Sequence, residues 1–295
     1  MRRIGSHDHA VIHGDALDAL AGLGSGTVDL IFADPPYNIG KDFDGLTDLR
    51  DEGEYLDWCR RWIDECHRVL TPRGSFYLMC STQTMPRLDL YCRARFHILS
   101  RIVWAYDSSG VQARKMFGSM WEPILHMVMD RGAYTFNADD IMVEAKTGAR
   151  RGLIDYRKDP PAPYGREKVP GNVWSLPRVR FRMAEYENHP SQKPEALLER
   201  IIRASSRPGD LVLDPFAGTF TTSAVARRLG RRSLGIELNE AYVKIGIRRL
   251  DLASDYAPEE LAKVKARKTR NRSKHDRAGS GAGVEDAPRR PPGPD

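Results

Sequence analysis

Two kinds of hydrophobic pattern alternate along much of the chain. Short, nearly unbroken apolar runs occur in "AVIH" (10–13), "TVDLIFA" (27–33), "SFYLMCS" (75–81), "LVLD" (211–214) and "RSLGIE" (232–237). Their apolar residues run together instead of alternating with polar ones, which is the mark of strands buried on both faces. Between them, apolar residues return every three or four positions. Tyr55, Cys59, Trp62, Ile63, Cys66, Val69 and Leu70 place a helix over 54–70, stopped by Pro72 and Gly74. Similar segments predict helices over 194–206, 221–230 and 239–253, and Asp15 is an N-cap candidate for a helix after Gly14. Strands that alternate with helices define an α/β class.

The alternation fails between about 105 and 188. "DSSGVQARKMFGS", "YRKDPPAPYG" and "KVPGNVW" are rich in turn formers, with aromatics and arginines interleaved. This stretch is expected to be an irregular insertion with its own task. From about 268 the chain turns to Lys, Arg, Gly, Pro and Ala without apolar periodicity, and disorder is expected there.

Composition narrows the picture little. Of the 295 residues, 41% are hydrophobic and 29% charged, and no apolar run approaches the ~18 residues of a membrane span. The arginines near the start have no apolar stretch behind them, so no signal peptide and a cytoplasmic location are expected. The four cysteines, Cys59, Cys66, Cys80 and Cys92, form no CxxC pair and have no histidines at zinc-like spacing. They read as reduced, packed thiols, and no metal is expected. A formal net charge of +6 mildly favours a polyanionic partner.

The chemistry gathers in two loops. In "LVLDPFAGTFTTSAVA" a strand ends at Asp214, a tight turn carries Gly218 and a helix starts near Thr221; the next strand ends in Glu237. That is the arrangement of a nucleotide-binding β-turn-α unit, with the second acidic residue placed to accept from ribose hydroxyls. The loop is too poor in glycine to wrap a pyrophosphate, so a cofactor with a ribose and no phosphates fits: S-adenosylmethionine. An ordinary connection with an exposed glutamate is the alternative.

The other loop is "IFADPPYN" (31–38). A residue before proline is held extended, so Asp34 points its carboxylate out of the sheet end, and Pro35 offers a carbonyl but no N–H. Two rigid acceptors beside the Tyr37 ring suit a planar exocyclic amino group whose base stacks on the ring. A plain turn with a helix cap is the competing reading.

"GDAL", "DPPYNIGK", an irregular segment, "HPSQKP", "DPFAGTFTT" and "GIELN" follow one another in that order over residues 10 to about 265. With these motifs the chain resembles the β-class DNA amino-methyltransferases, the solitary adenine-N6-specific type in particular. In most methyltransferases of this fold the cofactor loop precedes the DPPY loop; here it follows, a circular permutation. The resemblance implies a mixed, mainly parallel sheet with helices on both faces. The catalytic domain would comprise 1–104, carrying the DPPY loop, and 189–255, the cofactor half, interrupted by a target-recognition insertion at 105–188 and followed by a basic tail at 256–295.

The resemblance further implies that Asp34, Pro35 and Tyr37 form the target-base site. Asp214, Phe216 and Gly218 would line the methionine part of S-adenosylmethionine, Glu237 its ribose and Asp15 its adenine, with His189, Ser191 and Lys193 bordering the methionine end. The loop departs from the usual F-A-G-(S/T)-G-T at Phe220, whose bulk bears on the cofactor pose. Arg114, Lys115, Arg178, Arg180 and Arg182 are candidates for contacts to double-stranded DNA, against the reading of a solvated basic face. A homodimer is left open as the active form. Cytosine-N4 methylation uses the same amino chemistry and stays an alternative, although Asp before the two prolines favours adenine. A cofactor-binding regulator that reads DNA without modifying it is the alternative from another class.

Overall fold

The computed structural model describes residues 1–43, 46–107, 115–146 and 151–262. Arg114 and the tail from 263 onward, including the region expected to be disordered, lie outside the described residues. The frame is a nine-stranded sheet. Its strands are β1 (Arg2–Gly5), β2 (His9–His13), β3 (Val28–Ala33), β4 (Leu70–Met79), β5 (His97–Ala105), β6 (Trp121–Val128), β7 (Val173–Ser175), β8 (Leu211–Asp214) and β9 (Arg232–Glu237). In space they run β1-β2-β9-β8-β3-β4-β6-β5-β7. The central strands from β2 to β4 are parallel, as are β5 and β7, while β1 pairs antiparallel with β2 and β6 antiparallel with both β4 and β5. The sheet is therefore mixed and mainly parallel.

Helices α1 (Ala16–Ala21), α2 (Glu52–Val69) and α3 (Met85–Arg93) precede the middle of the chain, and α4 (Glu195–Ser205), α5 (Thr221–Arg228), α6 (Glu240–Arg249) and the short α7 (Pro258–Leu261) follow it. Successive side chains of a strand leave on opposite faces. Ile31, Ala33, Phe76 and Leu78 accordingly pack with Leu20, Trp62 and Ile63 of α1 and α2, whereas Leu30, Phe32, Tyr77 and Met79 pack with Ile201 and Val225 of α4 and α5. Both faces are covered, which is why these strands read as continuous apolar runs. Asp15 caps α1 as expected, its Oδ1 accepting from the Leu17 N–H at 2.8 Å. All four cysteines are free and buried.

The expectation of irregularity across 105–188 is corrected at two places. Strand β6 lies inside the sheet between β4 and β5, and β7 forms its edge. His126, in the middle of the β6 run, is buried and stacks on Tyr77 at 4.2 Å between ring centroids. Burial drives its pKa down to about 3, so it packs as a neutral ring. The rest of the segment carries only short pairings among the described residues, such as Val143–Glu144 with Glu167–Lys168.

The topology brings the chemistry-bearing residues together. Asp15, Asp34, Asp214 and Glu237 all sit at or just beyond the carboxyl ends of the adjacent parallel strands β2, β3, β8 and β9, the edge at which open α/β sheets bind ligands.

Candidate active site

The turn after β8 is fixed by the acidic residues around it. Asp214 accepts from the Phe216 N–H at 3.0 Å and from the Thr222 hydroxyl at 2.6 Å. Glu237 accepts from the Gly218 N–H at 2.8 Å on one oxygen and from the Asn239 N–H at 2.7 Å on the other. Gly218 has a φ of +48°, and a Cβ there would stand 3.2 Å from His189 Nε2. The left-handed backbone favours glycine here, and any Cβ would press on the His189 ring.

These residues wall a cavity of about 320 Å³. The side chains expected around a cofactor all line it: Asp15, His189, Ser191 and Lys193 on the one hand, Asp214, Phe216, Gly218 and Glu237 on the other. Phe216 is braced edge-on by Trp58 and Trp62, with ring centroids 5.5 and 5.1 Å away. Burial raises the pKa values of Asp214 and Glu237 to about 7. It lowers that of His189 to about 3, helped by Lys193 and Lys41, so this ring is neutral.

Phe220 does not line this cavity. Its backbone is left-handed at φ 57° and its ring is fully buried. The ring fills a slot that exists because residues 235 and 246 are glycines: a Cβ on either would come within 2.5 Å or 2.4 Å of it. The left-handed backbone costs a non-glycine residue roughly 1–2 kcal/mol, an amount that burial of an aromatic ring of about 1.5–3 kcal/mol offsets.

The loop after β3 is held as firmly. The Tyr55 hydroxyl donates to the Pro36 carbonyl at 2.7 Å, and the Asn38 side chain bridges to the Arg50 backbone through bonds of 3.1 and 2.6 Å. A second cavity, of about 330 Å³, opens on the far side of Asp34 and is lined by Tyr37, Tyr106, Glu122, Arg178 and Lys193. Asp34, Phe43, Asp48, Ser191, Gln192 and Lys193 belong to both cavities. Pro35 is buried and lines neither.

At the junction lies a buried ionic cluster. Lys193 Nζ is 2.6 Å from Asp34 Oδ2 and 3.6 Å from Glu122 Oε2. Tyr37 Oη lies 2.7 Å from Asp34 Oδ1 and 2.9 Å from Glu122 Oε2, and the Tyr106 hydroxyl donates to Glu122 Oε1 at 3.2 Å. Burial raises the Asp34 pKa against the pull of Lys193. For Glu122 burial works in the same direction, but Lys193, Tyr37 and Arg178 outweigh it and hold the group below the ordinary carboxylate range. Burial alone would discharge Lys193; the two carboxylates reverse the effect and keep it cationic. Tyr37 is pushed far above the usual phenol range by burial and both carboxylates, and so remains a donor.

The basic candidates are dispersed. Arg178 enters the second cavity, its guanidinium 5.0 Å from the Tyr106 ring centroid. Lys115 and Arg182 are exposed, and Arg180 donates to the Asp107 carbonyl at 3.1 Å. Sequence reasoning missed Glu122, Tyr106 and Trp58. The signal for Glu122 is a single acidic residue opening the apolar run "WEPILHMV".

Acidic residues at successive parallel strand ends, and two cavities that share Asp34 and Lys193, define a group-transfer enzyme of the nucleotide-binding α/β kind. The comparisons narrow this class. The DNA methylase family matches residues 28–248, and the chain belongs to that family. It is 64% identical over 275 residues to the DNA adenine methyltransferase YhdJ of Escherichia coli (strain K12), covering 93% of this chain and 94% of that protein. It is 34% identical over 246 residues to the type II methyltransferase M.HpaI of Haemophilus parainfluenzae, 83% of this chain and 74% of the relative. Its fold is similar to that of the cytosine-N4-specific PvuII DNA methyltransferase, with a TM-score of 0.66 at 18% identity over 88% of this chain and 93% of the other. Against the structure of the M1.HpyAVI–SAM complex the TM-score is 0.57 at 23% identity, over 82% and 98% of the two chains.

Proposed function

We propose that this DNA methylase transfers a methyl group from S-adenosylmethionine to the N6 amino group of adenine at a specific site in double-stranded DNA. The observation that carries the reading is that Asp34 and Lys193 line both cavities, so a cofactor in one and a base in the other would meet at Asp34. The likeness to a protein named a DNA adenine methyltransferase, at 64% identity, supports adenine over cytosine.

The first cavity fits the cofactor. Glu237 accepts from backbone N–H groups, Gly218 on one oxygen and Asn239 on the other, and a carboxylate has lone pairs left for a ribose hydroxyl. Gly218 admits close approach of the backbone, Phe216 and Trp58 give an apolar wall, and neutral His189 adds no positive charge beside a sulfonium. S-adenosylmethionine, when bound, supplies an electrophilic methyl group.

The chain's own part is to make a poor nucleophile attack. The lone pair of an aromatic amine is delocalised into its ring. Asp34 accepts from the amino group and draws the nitrogen toward tetrahedral geometry, while Tyr37 stacks on the base; Pro35, which lines neither cavity, holds Asp34 extended at the strand end. Once methylated, the cationic nitrogen sheds a proton, and an Asp34 of raised proton affinity is placed to receive it at a carboxylate oxygen. The amino group of a paired base is out of reach, so the target is flipped into the second cavity. Lys115, Arg180 and Arg182 serve as phosphate contacts and Arg178 as a contact to the base, with the parts of 105–188 outside β6 and β7 forming the target-recognition region. Such work places the protein in the cytoplasm.

The test is incubation with labelled S-adenosylmethionine and unmethylated genomic DNA, followed by digestion and separation of the modified nucleosides. Label in N6-methyladenine is expected; label in N4-methylcytosine would correct the base, and no transfer would refute the activity.

A further inference from the structure

The cluster at Asp34 raises a difficulty for the chemistry just described, and the same cluster contains its solution. The Asp34 carboxylate has to accept from a substrate amino group, yet Lys193 holds its Oδ2 at 2.6 Å and Tyr37 faces its Oδ1 at 2.7 Å. Both of these donors have a second acceptor within reach. Glu122 Oε2 is 2.9 Å from Tyr37 Oη and 3.6 Å from Lys193 Nζ. A hydroxyl carries one hydrogen. Tyr37 therefore serves one carboxylate at a time, and rotation of its O–H is enough to pass from Asp34 to Glu122. Lys193 needs a movement of under about 1 Å to come within hydrogen-bonding distance of Glu122. Glu122 is itself fixed, by the Tyr106 hydroxyl on Oε1 and by its place near the start of β6, a core strand.

We infer that Glu122 is a positioning residue that takes the Tyr37 hydroxyl and part of the Lys193 charge from Asp34 when the target base enters, leaving the Asp34 oxygens free for the amino group. The inference rests on the proposed methyl transfer and adds a residue to it. In this arrangement the buried ammonium is never without a carboxylate, and the incoming N–H replaces a donor that has somewhere else to go. An exchange of partners avoids the desolvation cost of leaving any buried polar group unpaired.

The test compares four proteins, the parent, Glu122→Gln, Tyr37→Phe and the double variant, in single-turnover methylation of genomic DNA at saturating S-adenosylmethionine. Cofactor affinity is measured by calorimetry alongside. Glutamine keeps the shape of Glu122 but cannot share the charge of Lys193 and is a weaker acceptor for Tyr37. Glu122→Gln should therefore slow methyl transfer by at least about tenfold, with cofactor affinity within about twofold of the parent. Tyr37→Phe removes the hydroxyl that would otherwise stay on Asp34, so the double variant should be faster than Glu122→Gln alone. A structural role for Glu122 predicts no such recovery. Parental rates in Glu122→Gln, a matching loss of cofactor binding, or a double variant no faster than Glu122→Gln alone would each overturn the inference. A parent that methylates no DNA would instead refute the proposed function, and this inference with it.

Discussion

Asp214 and Glu237 in the cofactor cavity are met by backbone N–H groups and a hydroxyl, whereas Asp34 and Glu122 in the adjoining cavity are met by a buried ammonium. The difference shows in their proton affinities. Burial lifts the first pair to about 7, while Lys193 opposes the rise at Asp34 and helps to reverse it at Glu122. Dipoles alone hold a carboxylate in place but compensate its charge weakly, which suits accepting hydrogen bonds from a neutral sugar. A fixed cation opposes protonation of the reacting carboxylate where an amine has to be drawn out of conjugation.

The contrast can be broken most severely at Lys193. Lys193→Met leaves two buried carboxylates without their cation and should destabilise the fold by about 3–5 kcal/mol, read from denaturant unfolding. An unchanged midpoint would mean that the ion pairs contribute nothing net. In the other cavity, Glu237→Ala should weaken S-adenosylmethionine binding by ~1–3 kcal/mol in calorimetry while duplex affinity stays put. Unchanged cofactor affinity would remove Glu237 from the site.

The pH dependence sharpens the same comparison. Asp214 and Glu237 titrate near 7 in the folded chain against ordinary values of 3.8 and 4.5. Between those limits the folded state binds more protons than the unfolded one, so these two groups make stability fall as pH rises from about 4 to about 7. A ligand whose hydroxyls donate to ionised Glu237 acts oppositely. S-adenosylmethionine affinity should rise by up to about tenfold from about pH 6 to about pH 8, and Glu237→Gln should flatten the rise. An equally steep profile in that variant would assign the titration elsewhere. The smallest effect is expected from the basic tail. Removing 268–295 should modestly lower DNA affinity and its salt dependence and leave sequence preference alone; an altered methylation site would contradict a purely electrostatic role.

The two regions also differ in how far they could be read from sequence. Asp34, Asp214 and Glu237 were legible because their placement is local: an apolar strand ends, a turn former follows, and the carboxylate is left at the sheet edge. Glu122 was not, because it reaches Asp34 through the antiparallel pairing of β6 with β4, in which Leu125 faces Leu78 and Ile124 faces Met79. That register is set by packing between segments far apart in the chain, and the turn formers on either side of the strand that carries it made the whole stretch read as irregular. Lys193 was expected beside the cofactor and does line that cavity, but a long side chain can turn its head either way. Burial between two carboxylates decided the direction. Phe220 shows the reverse, a bulky residue in the cofactor loop made harmless by two glycines far away in sequence.

The central claim is that Asp34 acts in the methyl-transfer step and does little to hold cofactor or duplex. Its most direct test is single-turnover transfer by Asp34→Ala at saturating S-adenosylmethionine and DNA, with N6-methyladenine quantified after digestion. The rate should fall at least ~100-fold, with both affinities within a few-fold of the parent. A variant that still methylates within roughly tenfold of the parent rate would show that Asp34 is not the acceptor of the amino group.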